Sequence, residues 1–122
     1  MRFLKAGLAV ALVSAGLAAT APASAHTKLV SSSPAANATV TTSPRTITLT
    51  FNERVVPAFS KFELLMPEHD MKIPVETTVS SDGKRIIGTV RSSLHRGLYA
   101  IHWTAAGSDG HKMEGHVNFR VG

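Results

Sequence analysis

The sequence has 122 residues, enough for one small domain, and it contains no cysteine. Without cysteine, disulfide bonds, thiolate metal sites and a cysteine nucleophile are all excluded. Thirteen basic residues outnumber eight acidic ones, but the basic residues are scattered along the chain, so we predict no nucleic-acid partner.

The first element in chain order is a predicted secretory signal peptide at residues 1–25. Arg2 and Lys5 precede an apolar run over 6–19, and Ala23-Ser24-Ala25 has the small side chains after which signal peptidase cuts. The apolar run is short for a membrane span. An uncleaved membrane anchor is the alternative interpretation, and the fit of the cleavage site argues against it.

Cleavage after Ala25 predicts a mature domain of residues 26–122, exported to the periplasm and beginning at His26. No later apolar run approaches the roughly 20 residues that a membrane-spanning helix needs. We therefore predict that the mature domain is not embedded in a membrane.

Short runs of β-branched and aromatic residues, separated by turn residues, make up the mature part. In one of them Ile47, Leu49 and Phe51 alternate with threonines, which is the period-two pattern of a half-buried strand. The sequence predicts seven strands, at 27–31, 45–52, 59–66, 74–79, 85–91, 97–104 and 114–121. The pattern indicates an all-β fold, an antiparallel β-sandwich of the immunoglobulin-like class, with Trp103 in its core.

His26 would offer two nitrogen ligands once it is the first residue, namely its α-amine and its ring Nδ1. The reference pKa of an α-amine is ~7.7–8.0, so a metal ion can displace its proton near neutral pH. A second imidazole would complete a three-nitrogen set, which suits the tetragonal preference of Cu(II).

The segment Ser108-Asp109-Gly110-His111 is the candidate source of that second imidazole. Asp109 and His111 are two residues apart, so in extended backbone both side chains point to one side. Asp109 could bind the metal directly or support it from beside the site. Alone, this pattern also fits a turn aspartate next to an exposed histidine; combined with His26, it predicts a copper(II) site.

Several segments of the mature chain resemble the CopC family of periplasmic copper-resistance proteins. They are His26 to Ala35, Leu49-Thr50-Phe51-Asn52-Glu53, Pro57-Ala58-Phe59-Ser60, Gly97 through Trp103, and Ser108-Asp109-Gly110-His111 with Gly115. The resemblance implies a seven-stranded Greek-key sandwich or barrel, cupredoxin-like, that binds Cu(II) through His26, Asp109 and His111. Glu53 stands where some family members carry a carboxylate near the copper, and is a candidate outer contact.

Some CopC-family members have a second, methionine-rich site for Cu(I), whose softness suits thioether ligands. The corresponding loop here runs from Met66 to Met71 and includes His69. Met66, His69 and Met71 are candidate ligands for Cu(I); core packing of Met66 is the alternative. The remaining histidines, His95, His102 and His116, are predicted to be surface residues.

The resemblance implies a copper carrier or buffer in copper resistance or homeostasis, and not an enzyme. Its partner would be an inner-membrane copper transporter of the CopD type or another periplasmic copper carrier. Two alternatives stay open at this point. One is a copper-dependent oxidative enzyme, because lytic polysaccharide monooxygenases also use an N-terminal histidine brace. The other is an immunoglobulin-like module that binds no metal.

Overall fold

A computed structural model describes residues 27–122 of the chain. These residues form two β-sheets and two short 3-10 helices, at Pro57–Phe59 and Pro67–His69, and no α-helix. The strands are β1 (Leu29–Ser33), β2 (Thr39–Val40), β3 (Thr46–Phe51), β4 (Lys61–Met66), β5 (Met71–Ile73), β6 (Val75–Val79), β7 (Arg85–Val90), β8 (Gly97–Ala106) and β9 (Lys112–Val121).

The two sheets have the strand orders β1-β3-β7-β6 and β2-β9-β8-β4-β5. All neighbouring strands are antiparallel except β2, which pairs parallel to the end of β9. Within the described residues the chain changes sheet five times, between β1 and β2, β2 and β3, β3 and β4, β5 and β6, and β7 and β8, so strands that are distant in sequence become neighbours in space. The predicted all-β Greek-key sandwich is confirmed.

The core lies between the sheets because each long strand turns its alternate apolar residues inward. The apolar residues at alternate positions of β3, β4, β8 and β9 are buried: Ile47, Leu49, Phe51, Phe62, Leu64, Met66, Tyr99, Ile101, Trp103, Val117, Phe119 and Val121. Trp103 meets Phe51 of the opposite sheet edge-to-face, with ring centroids 5.2 Å apart. Packing of this kind between aromatic rings holds the sheets together without a disulfide.

The turn between β6 and β7 is stabilised by a glycine and by an aspartate side chain. Gly83 has a φ of 75°, a left-handed conformation that glycine adopts without strain. The carboxylate of Asp82 accepts hydrogen bonds from the Ser80 hydroxyl and from the backbone N–H of Lys84. β6 and β7 therefore form a hairpin through this turn.

The structure differs from the prediction in two places that matter here. It adds β2 and β5, which have two and three residues and are too short to produce an alternating pattern in the sequence. It also extends β8 to Ala106 and starts β9 at Lys112. The connection that carries the candidate copper ligands is consequently only five residues long, 107–111, and is held between the ends of the two longest strands.

No helix among residues 27–122 is both long enough and apolar enough to cross a membrane. The predicted signal peptide, residues 1–25, and the predicted ligand His26 lie outside the described residues.

Candidate metal centre

The loop between β8 and β9 is closed by its own backbone. The N–H of Gly110 donates to the carbonyl of Gly107 at 2.9 Å, and the N–H of Gly107 donates to the carbonyl of His111 at 3.3 Å. Gly110 has a φ of 85°, which a residue with a side chain would adopt only with strain. These bonds turn the chain tightly and bring Asp109 and His111 to the same side of the loop.

Asp109 and His111 form two direct contacts. The carboxylate oxygen Oδ1 of Asp109 accepts the backbone N–H of His111 at 3.0 Å, and Oδ2 lies 2.9 Å from the imidazole Nδ1 of His111. These hydrogen bonds, first the backbone N–H and then the ring, lower the pKa of Asp109 below its ordinary value. The His111 side chain is 74% exposed, so the ring is oriented by the carboxylate at the protein surface.

Thr27, the first described residue, is packed against this loop. Its side chain is buried although it is polar, with 2% of its surface exposed. A Cβ built on Gly107 would lie 2.6 Å from the Thr27 hydroxyl oxygen and 3.2 Å from Oδ1 of Asp109. Gly107 therefore leaves room for the side chains of Thr27 and Asp109, and the chain segment that follows His26 is held beside the Asp109–His111 pair.

Lys28 fixes the same segment to the end of β3. Its backbone N–H donates to the side-chain oxygen of Asn52 at 2.8 Å, and the N–H of Asn52 donates to the carbonyl of Lys28 at 3.0 Å. Glu53, the predicted outer contact, directly follows Asn52. Val55, two residues later, forms an isolated bridge with Gly107. Glu53 thus lies between Asn52, which is hydrogen-bonded to Lys28, and Val55, which pairs with Gly107 of the loop.

Asp109 and His111 were both predicted from the sequence, and the structure brings these two together. The positioning roles of Thr27, Asn52 and Gly107 were not predicted from the sequence. These residues hold the N-terminal segment in position. Within residues 27–122, no group of three or more histidine, aspartate or glutamate side chains is arranged to hold a metal ion. The role of Glu53 and the ligation of copper by His26, Asp109 and His111 stay predictions.

The residues of the predicted Cu(I) site lie elsewhere on the molecule. Met66 of β4 and Met71 of β5 are direct cross-strand partners, and His69 belongs to the 3-10 helix between them. Met66 is buried at 5% exposure while Met71 is 51% exposed. The terminal methyl of Met66 would lie 2.7 Å from a Cβ placed on Gly97, so its thioether packs in the core. Cu(I) binding here also stays a prediction.

Comparison with known sequences identifies the family. Residues 29–122 match the sequence model of the CopC domain. The chain belongs to the CopC family. This CopC-family chain is 41% identical over 118 residues to Copper resistance protein C of Xanthomonas campestris pv. juglandis, an alignment that covers 92% of this chain and 91% of that one. The predicted family is confirmed, and the protein is a member of a copper-resistance family.

Solved structures of the family have the same fold. PcoC, a methionine-rich copper resistance protein from Escherichia coli, superposes with a TM-score of 0.72 at 32% identity, covering 80% of this chain and all of that one. CopC from Methylosinus trichosporium OB3b superposes with a TM-score of 0.73 at 28% identity, covering 79% of this chain and 93% of that one. The described sandwich is therefore the CopC fold over nearly its whole length.

Proposed function

We propose that this CopC-family protein binds Cu(II) at the β8–β9 loop, using the α-amine and ring Nδ1 of an N-terminal His26 together with the imidazole of His111. The observation that carries the proposal is the burial of Thr27 against Gly107, beside Asp109. Consecutive Cα atoms are ~3.8 Å apart. A residue bonded to the nitrogen of Thr27 would therefore be within reach of the loop that carries Asp109 and His111.

The contacts of His111 support a specific ligand atom. When the proton of the neutral ring is on Nδ1 and is donated to Asp109, the lone pair is on Nε2, and Nε2 is then the atom that binds copper. A carboxylate behind a ligating imidazole fixes the ring and raises its basicity. In this proposal Asp109 acts mainly by orienting His111, and direct contact between Asp109 and the metal is the alternative.

Export would be part of the binding chemistry. In the precursor the backbone nitrogen of His26 is an amide, and only cleavage after Ala25 converts it to an amine that can bind Cu(II). We infer that the protein acts in the periplasm, after its signal peptide has been removed. There it would carry or buffer copper and exchange it with an inner-membrane transporter of the CopD type or with another carrier.

We propose a carrier and not an oxidative enzyme. The support comes from relatives that are named as copper resistance proteins and from the position of two large aromatic residues of β8. Tyr99 and Trp103 are both buried, so neither offers a surface on which a polymer substrate could stack. Reductant-dependent oxidation of a polysaccharide by the copper-loaded protein would contradict this part of the proposal.

The test is Cu(II) titration of the chain expressed with its own N-terminal segment and purified after export, with mass spectrometry to identify the first residue. We expect tight binding, a nitrogen-rich tetragonal electron paramagnetic resonance spectrum, and a mass that starts at His26. His111→Ala should weaken binding by more than about 100-fold, since losing a residue that only supports a ligand already costs roughly 10- to 100-fold.

His95→Ala is the matched control. His95 is exposed and lies before β8, at the opposite end of that strand from the loop. Its contact with Tyr99 uses the backbone carbonyl, which the substitution retains. Equal affinities of the wild-type protein and the His111→Ala variant would contradict the proposal.

A further inference from the structure

Two histidines outside the candidate copper loop face each other on the outer surface of the five-stranded sheet. His102 of β8 and His116 of β9 are direct cross-strand partners. Their rings are stacked, with centroids 4.5 Å apart and planes 6° from parallel. The neighbouring residues Ile101 and Val117 are buried in the core, so the two imidazoles lie on the opposite, outward face of the sheet.

Two carboxylates lie next to His102 of this pair. Oε2 of Glu114 lies 3.4 Å from Nε2 of His102, and Glu63 of β4 is the cross-strand partner of His102 on its other side. Glu63 is already engaged by Lys72 at 2.8 Å. Glu114 has 71% of its side chain exposed and is the carboxylate best able to turn toward a bound cation.

The pair has the spacing that a chelating site requires. Side chains directly opposite on an antiparallel pair have Cβ atoms about 4.5–5.5 Å apart. Rotation of the two rings out of their stacked arrangement can therefore direct one nitrogen of each toward a common ion. Imidazole is the commonest protein ligand for transition metals and suits copper, zinc and nickel.

We propose that His102 and His116 form a second, weaker site for a divalent cation of the class that prefers imidazole: Cu(II), Zn(II) or Ni(II). The two imidazoles supply the protein ligands, water completes the coordination, and Glu114 contributes negative charge beside the ion.

This site is separate from the β8–β9 loop. His102 is four residues before Ala106, the last residue of β8, which at about 3.3 Å per residue places it roughly 13 Å along the strand from the loop. Metal–nitrogen bonds are only about 2.0–2.1 Å long. The two sites therefore share no ligand and can be tested independently.

The test is Zn(II) titration of the exported protein, followed by nuclear magnetic resonance of the histidine ring protons. Zn(II) is diamagnetic, so each ring can be observed during the titration. The background is His111→Ala, which removes the loop imidazole and leaves the sheet face unchanged. We expect the ring protons of His102 and His116 to shift together with one midpoint, while those of His95 do not follow it.

Three variants in the same background complete the experiment. His102→Asn and His116→Gln should each lower the Zn(II) affinity of this site by about tenfold or more, and His95→Ala should leave it unchanged. Thermal unfolding of every variant establishes that the sandwich is folded. Absence of a shift at both rings, or an affinity unaffected by either substitution, would overturn the inference and leave the stacked pair as a packing contact.

The Zn(II) and Cu(II) titrations test the histidine pair and the loop site independently of each other. If His111 has no part in copper binding, the Zn(II) result in the His111→Ala background still stands. If the paired histidines bind nothing, the Cu(II) titration at the loop is unaffected.

Discussion

Oδ2 of Asp109 lies 2.9 Å from Nδ1 of His111, and Oδ1 of the same carboxylate accepts the backbone N–H of His111. One side chain thus fixes both the backbone and the ring of the candidate copper ligand. This relationship favours Nε2 as the metal-binding atom of His111. It also gives Asp109 a role, the orientation of His111, that does not require contact with the ion.

Asp109→Asn should weaken Cu(II) binding by about 10- to 100-fold, the usual cost of losing a carboxylate that supports a ligating histidine. The amide oxygen of asparagine can still accept the N–H of His111, so the loop should keep its shape. The measurement is competition with a Cu(II) chelator of known affinity. A loss as large as that of His111→Ala would instead indicate that Asp109 binds the metal directly.

The carboxyl group of Asp109 should titrate below its ordinary pKa of 3.8 in the copper-free protein. Because folding lowers this pKa, the stability that the ionised group contributes is fully present above the ordinary pKa. It is lost as the pH falls through the lowered pKa of the folded state.

Carbon-detected nuclear magnetic resonance of the carboxyl group tests this directly. His111→Ala removes the ring but keeps the backbone N–H, which is the larger cause of the shift. The pKa of Asp109 should then rise but stay below 3.8. A wild-type pKa at or above 3.8, or no change in the variant, would be inconsistent with the geometry of the loop.

Gly107→Ala should disturb the N-terminal segment. The added methyl group would lie 2.6 Å from the Thr27 hydroxyl oxygen, so Thr27 must move. Overpacking of this kind costs about 1–3 kcal/mol in unfolding free energy, and the displaced segment should also lower Cu(II) affinity.

A second substitution separates the clash from other effects of the added methyl group. Thr27→Ala removes the clashing oxygen, so the Gly107→Ala, Thr27→Ala double variant should recover part of the stability lost in Gly107→Ala. Chemical denaturation measures all four combinations. Additive losses from the two substitutions would contradict the proposed contact.

The Cu(I) prediction can be tested without damaging the core. Met66→Leu preserves volume and should cost less than about 1.5 kcal/mol, while it removes the thioether. If the predicted site exists, Met66→Leu, His69→Ala and Met71→Leu each weaken Cu(I) binding in an anaerobic competition assay. If Met66 serves only the core, Met66→Leu leaves Cu(I) affinity unchanged.

The sequence was sufficient to predict the long strands, because alternate burial of residues such as Ile47, Leu49 and Phe51 leaves a period-two pattern. It was also sufficient to identify the Asp109–His111 pair, whose contacts join residues two apart. The anchoring of Lys28 by Asn52 could not be predicted, since these residues are 24 positions apart and their pairing follows from how β1 lies against β3.

The contact between the stacked histidines could not be predicted from the sequence either. His102 and His116 were each predicted as ordinary surface residues, and alternation along a single strand supports no more than that. Their contact depends on the register between β8 and β9, in which Ile101 faces Val117. A shift of one residue would have separated the two rings and exposed the core face.

The most direct test of the central claim is a one-residue extension. A variant with a single glycine between Ala25 and His26, exported and cleaved after Ala25, keeps the His26 ring but converts its α-amine into an amide. We expect Cu(II) affinity to fall sharply and the tetragonal spectrum of the processed wild-type protein to be lost, while thermal unfolding of the copper-free sandwich is unchanged. Cu(II) binding of unaltered affinity in the extended protein would contradict this expectation.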